Sequence, residues 1–116
     1  MGKLSTHILD TVHGGPAANV AVELYSMDPS PKLLVATRTN TDGRTDVPLL
    51  KDAEVKRGRY RLIFHVGEHF RSKGVAMPDP PFVDVVPIDF GIAEDGGSYH
   101  VPLVCSPWTY STYRGS

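Results

Sequence analysis

The chain has 116 residues and a mass of 12.7 kDa, enough for one domain with its own core and too little for two ordinary domains. Hydrophobic residues make up 41% and charged residues 22%, which argues against both disorder and a membrane protein. A net charge of -1 lacks the basic excess that nucleic acids or anionic membranes attract. We therefore expect a single domain over 1–116 with no nucleic-acid or membrane partner.

Cysteine usage and the amino-terminal segment favour a protein of the cytoplasm. Cys105 has no partner for an internal disulfide and no Cys-x-x-Cys motif for zinc, so we expect a buried, unpaired thiol. Residues 1–7 contain no apolar signal core. The longest uncharged stretch, 96–113, contains prolines and many hydroxyl side chains and does not resemble a membrane span.

The first half of the chain predicts four strands. Prolines and glycines divide it into short segments that alternate apolar and polar residues, which is typical of an all-β domain. The predicted strands cover 4–12, ending in a hairpin loop at 13–16, then 20–25, 33–39 after a turn at 28–31, and a short fourth strand between the turn signal at 40–43 and Pro48.

The second half predicts four more strands and one short helix. The strands cover 59–66, closed by Gly67, then 82–90 after a loop at 77–81, and a final hairpin of 98–105 and 108–114 after a turn at 94–97. Residues 68–73 have an acidic start and a basic end and predict the helix. About eight strands favour a two-sheet sandwich, because one sheet of that size would leave a face exposed.

Common catalytic and cofactor motifs are missing from the sequence. It contains no Gly-x-Gly-x-x-Gly, no phosphate-binding loop, no Gly-x-Ser-x-Gly and no His-Glu-x-x-His, so we expect no cofactor. His65 and His69 have the spacing of metal ligands but lie on either side of the predicted break at Gly67, and we expect no metal site there. His13 is interpreted as a solvated turn residue.

Two histidines lie in the middle of predicted strands. His7 faces away from Thr6 and Ile8, and His100 faces away from Tyr99 and Val101, so both imidazoles leave the sandwich core. Alternation alone favours ordinary solvent-facing residues at both positions. An imidazole can nevertheless exchange protons near neutral pH, which keeps a catalytic role open.

Several separated motifs go beyond a general β-sandwich pattern. They are Leu-Ser-Thr-His-Ile-Leu-Asp-Thr at 4–11, Gly-Pro-Ala at 15–17, Thr-Asp-Gly-Arg-Thr at 41–45, Tyr-His-Val-Pro-Leu at 99–103 and Tyr-Ser-Thr-Tyr-Arg-Gly-Ser at 110–116. In this order they closely resemble the 5-hydroxyisourate hydrolases, transthyretin-like enzymes of urate breakdown. One departure is Ser98, where that family often has His.

The resemblance implies a fold, an assembly and a set of site residues. The fold is a transthyretin-like sandwich of two four-stranded sheets with one short helix. Four subunits would form a dimer of dimers, with the sites in a channel between dimers. The positions that match the family's site residues are His7, Arg44, His100, Tyr113 and Ser116.

The resemblance also implies a reaction. Family enzymes hydrolyse 5-hydroxyisourate to 2-oxo-4-hydroxy-4-carboxy-5-ureidoimidazoline by adding water to a ring carbonyl. His7 and His100 would position water and move protons, with the primary base left open, while Arg44 would orient purine oxygens and stabilise the oxyanion. Tyr113 and Ser116 would bind substrate, Ser116 with its hydroxyl and terminal carboxylate. Arg114 is expected to be structural and to pair with an acidic residue.

Two other functions stay open at this point. A transthyretin-type carrier would bind a small aromatic ligand without chemistry, but His7, Arg44 and His100 argue against it, because an unpaired buried Arg is costly in an apolar channel. A plain adhesion sandwich would leave the motifs unexplained. It predicts that replacing His7 or His100 affects at most assembly.

Overall fold

The short alternating segments form nine β-strands in the computed structural model, which describes residues 2–116. The strands are β1 (Lys3–Asp10), β2 (Gly15–Pro16), β3 (Ala21–Ser26), β4 (Lys32–Arg38), β5 (Leu50–Lys51), β6 (Gly58–His65), β7 (Val85–Ile92), β8 (Ser98–Cys105) and β9 (Tyr110–Thr112). One α-helix, α1 (Val66–Ser72), follows β6, and a 3-10 helix covers Asp52–Glu54. None of the helices in this part of the chain is long and apolar enough to cross a membrane.

The strands build two sheets that pack face to face. One sheet has the order β2-β1-β8-β9, with β5 pairing to β1, and the other has the order β4-β3-β6-β7. All pairs are antiparallel except β1 and β8, which are parallel and begin 95 residues apart in the chain. The predicted all-β two-sheet sandwich with one short α-helix is confirmed.

Alternation along the strands decides which side chains enter the core. In β1 every second residue is buried, from Leu4 to Asp10, and β6 shows the same pattern. The largest fully buried side chains are Phe64, Phe70, Leu4, Ile8, Leu24, Leu62, Ile92, Leu103, Val20, Val22, Val55 and Val66. Cys105 joins this core as an unpaired buried thiol, as expected.

The predicted fourth strand is wrong. Between Gly43 and Pro48 the structure has only a one-residue bridge, from Arg44 to His7, and β5 begins after Pro48. Local hydrogen bonds hold this segment as a loop: Asn40 Nδ2 donates to the Asp46 side chain at 3.0 Å, and the Thr45 hydroxyl donates to the Val47 carbonyl at 2.5 Å, a backbone group that a strand would use for pairing. Such local bonds compete with strand pairing.

Three other predicted boundaries also differ. Gly67 does not close β6 but lies in the first turn of α1, where its N–H donates to the Asp84 carbonyl at 2.9 Å. The strand predicted from 82 begins at Val85, because the Val83 N–H donates its hydrogen bond to the Pro107 carbonyl. The last strand is shorter than 108–114, because the Ser106 hydroxyl accepts the N–H groups of residues 108 and 109 in a turn. The 3-10 helix was not predicted.

A buried carboxylate joins the end of β1 to α1. Asp10 Oδ2 lies 2.9 Å from Nε2 of His69 and 2.7 Å from Nδ1 of His13, while Oδ1 accepts the N–H groups of Val12 and His13. The side chains of Asp10 and His69 are 3% and 2% exposed. His13 lies in a turn with 47% of its side chain exposed, as expected from the sequence, and its ring also contacts Asp10.

Candidate active site

The parallel pairing of β1 and β8 brings two of the predicted site residues onto one sheet face. Ser5 pairs with His100, and His7 pairs with Pro102, two positions along the same ladder. Residues opposite each other, and residues two apart, share a face of the sheet. The side chains of Ser5, His7 and His100 are half-buried, and all three lie on the face away from the core.

A tight turn places Arg44 opposite His7. The Asn40 side-chain oxygen accepts the N–H groups of Asp42 and Arg44, at 2.9 and 3.2 Å, and closes the turn. Gly43 has φ +75°, and a Cβ on it would lie 2.6 Å from the Ile8 carbonyl oxygen, so the turn can rest against β1 only with glycine. The Gly43 carbonyl accepts the Ile8 N–H at 2.9 Å, which sets Arg44 beside His7.

The carboxyl-terminal segment lies along the other side of β8. Thr112 pairs with Leu103, and Gly115 pairs with His100, so the carboxyl-terminal segment keeps the same antiparallel register with β8 at both points. Tyr113 lies between these two pairs, beyond the end of β9, and its position on the His100 face stays a prediction from alternation.

Gly115 makes a close approach to the His100 ring. Its N–H donates to the His100 carbonyl at 2.8 Å. A Cβ at this position would lie 2.6 Å from Cδ2 of the ring, far inside normal carbon contact. Only glycine leaves room for the ring as it is placed.

Ser5 contacts His100 from the opposite strand. Its hydroxyl oxygen lies 2.8 Å from Nδ1 of the ring. Nε2 of His100 has no hydrogen-bond partner within residues 2–116. One ring nitrogen is thus held by the fold, and the other is available to a ligand.

Burial and positive charge both favour the neutral form of His100. Burial lowers the pKa of His100 below its ordinary value of 6.5, and the charges of Arg44, His7 and Lys3 lower it further. A hydrogen bond with the backbone of Ser5 acts in the opposite direction and raises the pKa. The influence of Arg44 and His7 on this imidazole shows that the three predicted groups form one electrostatic cluster.

Arg44 is half-exposed and partly engaged. Its Nε donates to Asp42 Oδ2 at 3.0 Å, and 49% of its side chain is exposed. The terminal nitrogens of the guanidinium make no hydrogen bond to any residue the structure describes. They can therefore donate to the oxygens of a planar ligand.

Tyr113 and Ser116 follow β9 in the chain, on either side of Arg114 and Gly115. Both are exposed, and neither makes a side-chain hydrogen bond within the described chain. Their substrate-binding roles stay predictions that rest on the family resemblance. Ser5 and Gly115, by contrast, contact His100 directly and were not singled out from the sequence. Ser5 could have been suspected, since it shares the alternation face of His7 in β1.

The remaining candidates are structural. His69 is held by Asp10, and His65 lies 3.4 Å from Glu23, so the two histidines have different partners. Over residues 2–116, no group of three or more His, Cys, Asp or Glu side chains is arranged to hold a metal ion. Arg114 was expected to pair with an acid, but its guanidinium lies 4.3 Å from the centre of the Tyr99 ring and donates to the Ser98 carbonyl.

The cluster combines a proton acceptor with a fixed cation. A neutral imidazole can take a proton from water, and a guanidinium can stabilise negative charge on a carbonyl oxygen. A planar, oxygen-rich molecule would satisfy both groups at once. The site of one chain is an open surface rather than an enclosed cavity, because His7, His100 and Arg44 are all partly exposed.

Known proteins match this chain over nearly its whole length. The chain is 50% identical to 5-hydroxyisourate hydrolase 2 of Rhizobium meliloti, over 99% of this chain and 97% of that protein. The crystal structure of (S)-allantoin synthase matches with a TM-score of 0.94 and 43% identity, over 99% of this chain, which spans 44% of that longer one. Sea bream transthyretin in complex with thyroxine matches with a TM-score of 0.84 and 26% identity, over 97% of this chain and 94% of that one.

The family model described as the HIUase/Transthyretin family matches residues 4–115. This range includes the β1 motif, the turn at Arg44, the β8 motif and all but the last residue of the carboxyl-terminal run. The chain belongs to the HIUase/Transthyretin family.

Proposed function

We propose that this protein hydrolyses 5-hydroxyisourate to 2-oxo-4-hydroxy-4-carboxy-5-ureidoimidazoline. The observation that carries the proposal is the cluster of His7, Arg44 and His100 on one sheet face, in a chain 50% identical to a curated 5-hydroxyisourate hydrolase. An oxidised purine is planar and rich in carbonyl oxygens. It fits a site that offers guanidinium donors beside a neutral imidazole.

The proposed reaction uses each group of the cluster. A water oxygen attacks a ring carbonyl carbon while an imidazole of His7 or His100 accepts the water proton. The carbonyl oxygen becomes an oxyanion, which the Arg44 guanidinium stabilises by about 3–4 kcal/mol in the transition state. The ring carbon–nitrogen bond then breaks, the nitrogen takes up a proton, and the products are a carboxylate and a ureido group on the same molecule.

The neutral form of the His100 ring suits the role of general base. A base must be neutral to accept a proton, and the lowered pKa of His100 keeps the ring neutral at pH 7. His7 pairs two positions further along the same ladder and can position the water or share the proton. This division leaves the choice of primary base to experiment.

We also propose that the site is completed in a homotetramer, a dimer of dimers. Large apolar side chains are exposed in the single chain on and beside β9, with Trp108 56%, Tyr110 42% and Tyr113 63% exposed. Burial of this surface against another subunit would remove it from water and enclose the open His100 face. Light scattering during gel filtration measures the assembly, and a monomer at micromolar concentration would contradict it.

A cytoplasmic location fits the same proposal. The chain has one unpaired cysteine, which suits a reducing compartment. Cell fractionation with a tagged chain tests the location.

Turnover separates this function from that of a carrier. We would generate 5-hydroxyisourate by oxidation of 13C-labelled urate and add the protein at one hundredth of the substrate concentration, following the product by NMR. Many product molecules per chain would support the hydrolase. A carrier would leave the rate of product formation at its spontaneous value and bind an aromatic ligand at a fixed ratio to the chain.

A further inference from the structure

Two lysines lie on the same face of the sheet as the His100 ring. Lys3 is the first residue of β1 and is exposed, and alternation places it on the outer face with Ser5, two positions further along. Lys51 of β5 pairs with Lys3 and is also exposed, whereas its neighbour Leu50 is buried. Paired residues share a face, so the two lysines lie opposite each other on the outer side of the sheet. Lys3 and Lys51 are called the lysine pair below.

The lysine pair and Arg44 lie on opposite sides of His100 along β1. Ser5 pairs with His100 in the ladder between β1 and β8. Lys3 lies two residues before Ser5, and two residues of strand span about 7 Å. His7, which forms the bridge with Arg44, lies two residues after Ser5. Positive charge therefore approaches the His100 ring from both directions of the strand.

The charge of the lysine pair is not neutralised by a neighbour. Within residues 2–116, no carboxylate forms an ion pair with either lysine. Glu54, which accepts the backbone N–H of Lys51 at 3.0 Å, makes no ion pair with its ammonium group. The other outward positions of β1 and β8 carry Ser, His, Leu, Pro and Val and no acid. Since like charges directly opposite each other destabilise a sheet, this arrangement is unfavourable unless an anion comes close to it.

The proposed substrate readily becomes such an anion. In an oxidised purine a ring N–H lies between two carbonyl groups, and it is acidic because the negative charge spreads onto both oxygens. We propose that the lysine pair attracts the substrate as an anion to the face that carries His100, and so raises the rate of its capture without contacting the reacting atoms. This inference rests on the proposed function and adds to it the ionic form of the substrate that the protein takes up.

Removal of the lysine charges should slow capture and leave the chemical step unchanged. In water at low salt, a unit charge about 8 Å away changes the local concentration of an anion about two- to threefold. We expect Lys3→Gln to lower kcat/KM by that factor, and the double variant Lys3→Gln/Lys51→Gln to lower it about fivefold, while kcat changes less than about twofold. At about 1 M ionic strength the screening length is about 3 Å, and the difference should vanish.

The assay measures kcat and KM for 5-hydroxyisourate over a range of ionic strength, at pH 8, which lies above the lowered pKa of His100. Lys3→Arg keeps the charge and should keep the wild-type kcat/KM. Lys32→Gln is the matched control, because it makes the same change in net charge at an exposed residue of β4, in the other sheet, and should equal the wild type. Lys3→Gln should be at least as stable as the wild type in urea, since it removes a like-charge contact.

Two kinetic results would overturn the inference. One is a double variant with the wild-type kcat/KM at low ionic strength. The other is a loss of kcat/KM that is as large at high as at low ionic strength, which would indicate a direct contact or a structural effect instead of long-range attraction.

A binding measurement separates this inference from the proposed function, because it needs no turnover. Urate is an anion at pH 7, and hypoxanthine is a neutral purine of similar shape. In NMR titrations at low ionic strength, urate should bind the wild type about fivefold more tightly than the double variant, whereas hypoxanthine should not distinguish them. Urate that binds both proteins equally, or neither, would contradict the role of the lysine pair. Wild-type protein that binds urate in this way but shows no turnover would contradict the proposed function alone.

Discussion

Gly115→Ala should inactivate the enzyme by displacing one imidazole. The added Cβ would lie 2.6 Å from Cδ2 of His100 and 3.3 Å from Cγ, whereas carbon atoms pack best at about 3.5–4.0 Å. One of the two groups must therefore move by about 1 Å. Gly115 is not among the residues with positive φ, so alanine fits the backbone and the clash with the ring is the main cost.

The His100 ring is the group that moves, because the backbone around Gly115 is held in place. The Gly115 N–H is bonded to the His100 carbonyl at 2.8 Å, and the neighbouring Arg114 is stacked on Tyr99. Because Ser5 lies on the opposite side of His100 from Gly115, a shift of about 1 Å would push the ring towards Ser5 and distort the 2.8 Å contact between the Ser5 hydroxyl and Nδ1. Misplacement of this size can lower kcat about a hundredfold, and overpacking of this kind typically costs about 1–3 kcal/mol of stability.

The assay compares kcat of the wild type, Gly115→Ala and a matched glycine variant. Gly91→Ala is the control, because a Cβ at Gly91 meets nothing within 4 Å and its φ is not positive. We expect wild-type kcat for Gly91→Ala and a large loss for Gly115→Ala, with both proteins folded by circular dichroism and equal in assembly. A Gly115→Ala enzyme with wild-type kcat would refute the argument that ring placement controls the rate.

Three further predictions concern charge and burial. Since the positive charge of Arg44 helps to lower the pKa of His100, Arg44→Ala should move the acidic limb of the kcat/KM profile to higher pH, whereas Arg44→Lys should lower the rate but leave the limb in place. Burial tends to raise the pKa of Asp10, but hydrogen bonds from His69 and His13 outweigh it, and the pKa is lowered. Asp10→Ala should therefore lower the free energy of unfolding, measured in urea at pH 7, by about 3 kcal/mol or more. The difference between wild type and variant should shrink as the pH falls through the pKa of the folded carboxyl, below 3.8. Burial raises the pKa of Cys105 to about 12, so the thiol should react with Ellman's reagent only after unfolding; fast reaction of the folded protein would contradict its burial.

Much of the fold could be predicted, because the relevant signals are local. The bounds of β8 were predicted as 98–105, and the buried faces of β1 and β8 follow from their alternation. The family resemblance stated from the motifs is confirmed by the match over 4–115. Boundaries failed where a local side chain or a distant backbone group took a backbone hydrogen-bonding group, as the Thr45 hydroxyl does at the Val47 carbonyl and the Pro107 carbonyl does at the Val83 N–H.

The contacts inside the site could not be predicted from the sequence alone. The pairing of Ser5 with His100 joins segments 95 residues apart, and alternation gives the face of each residue but not its cross-strand partner. The same holds for Gly115, whose role depends on the distance to a ring on another strand. The contact of Asp10 with His69, 59 residues away in the chain, likewise depends on tertiary packing and was not predicted.

The rate of 5-hydroxyisourate loss tests the central claim most directly. The compound would be generated in place by urate oxidation, and its ultraviolet decay followed with no protein, with wild type and with His100→Ala, both proteins folded and equal in assembly. We predict that wild type accelerates the decay well above the spontaneous rate and that His100→Ala loses about 99% or more of that acceleration, since general-base catalysis contributes about 10²–10⁴-fold. Decay at the spontaneous rate with folded wild-type protein would contradict the hydrolase function, and equal acceleration by both proteins would contradict the site.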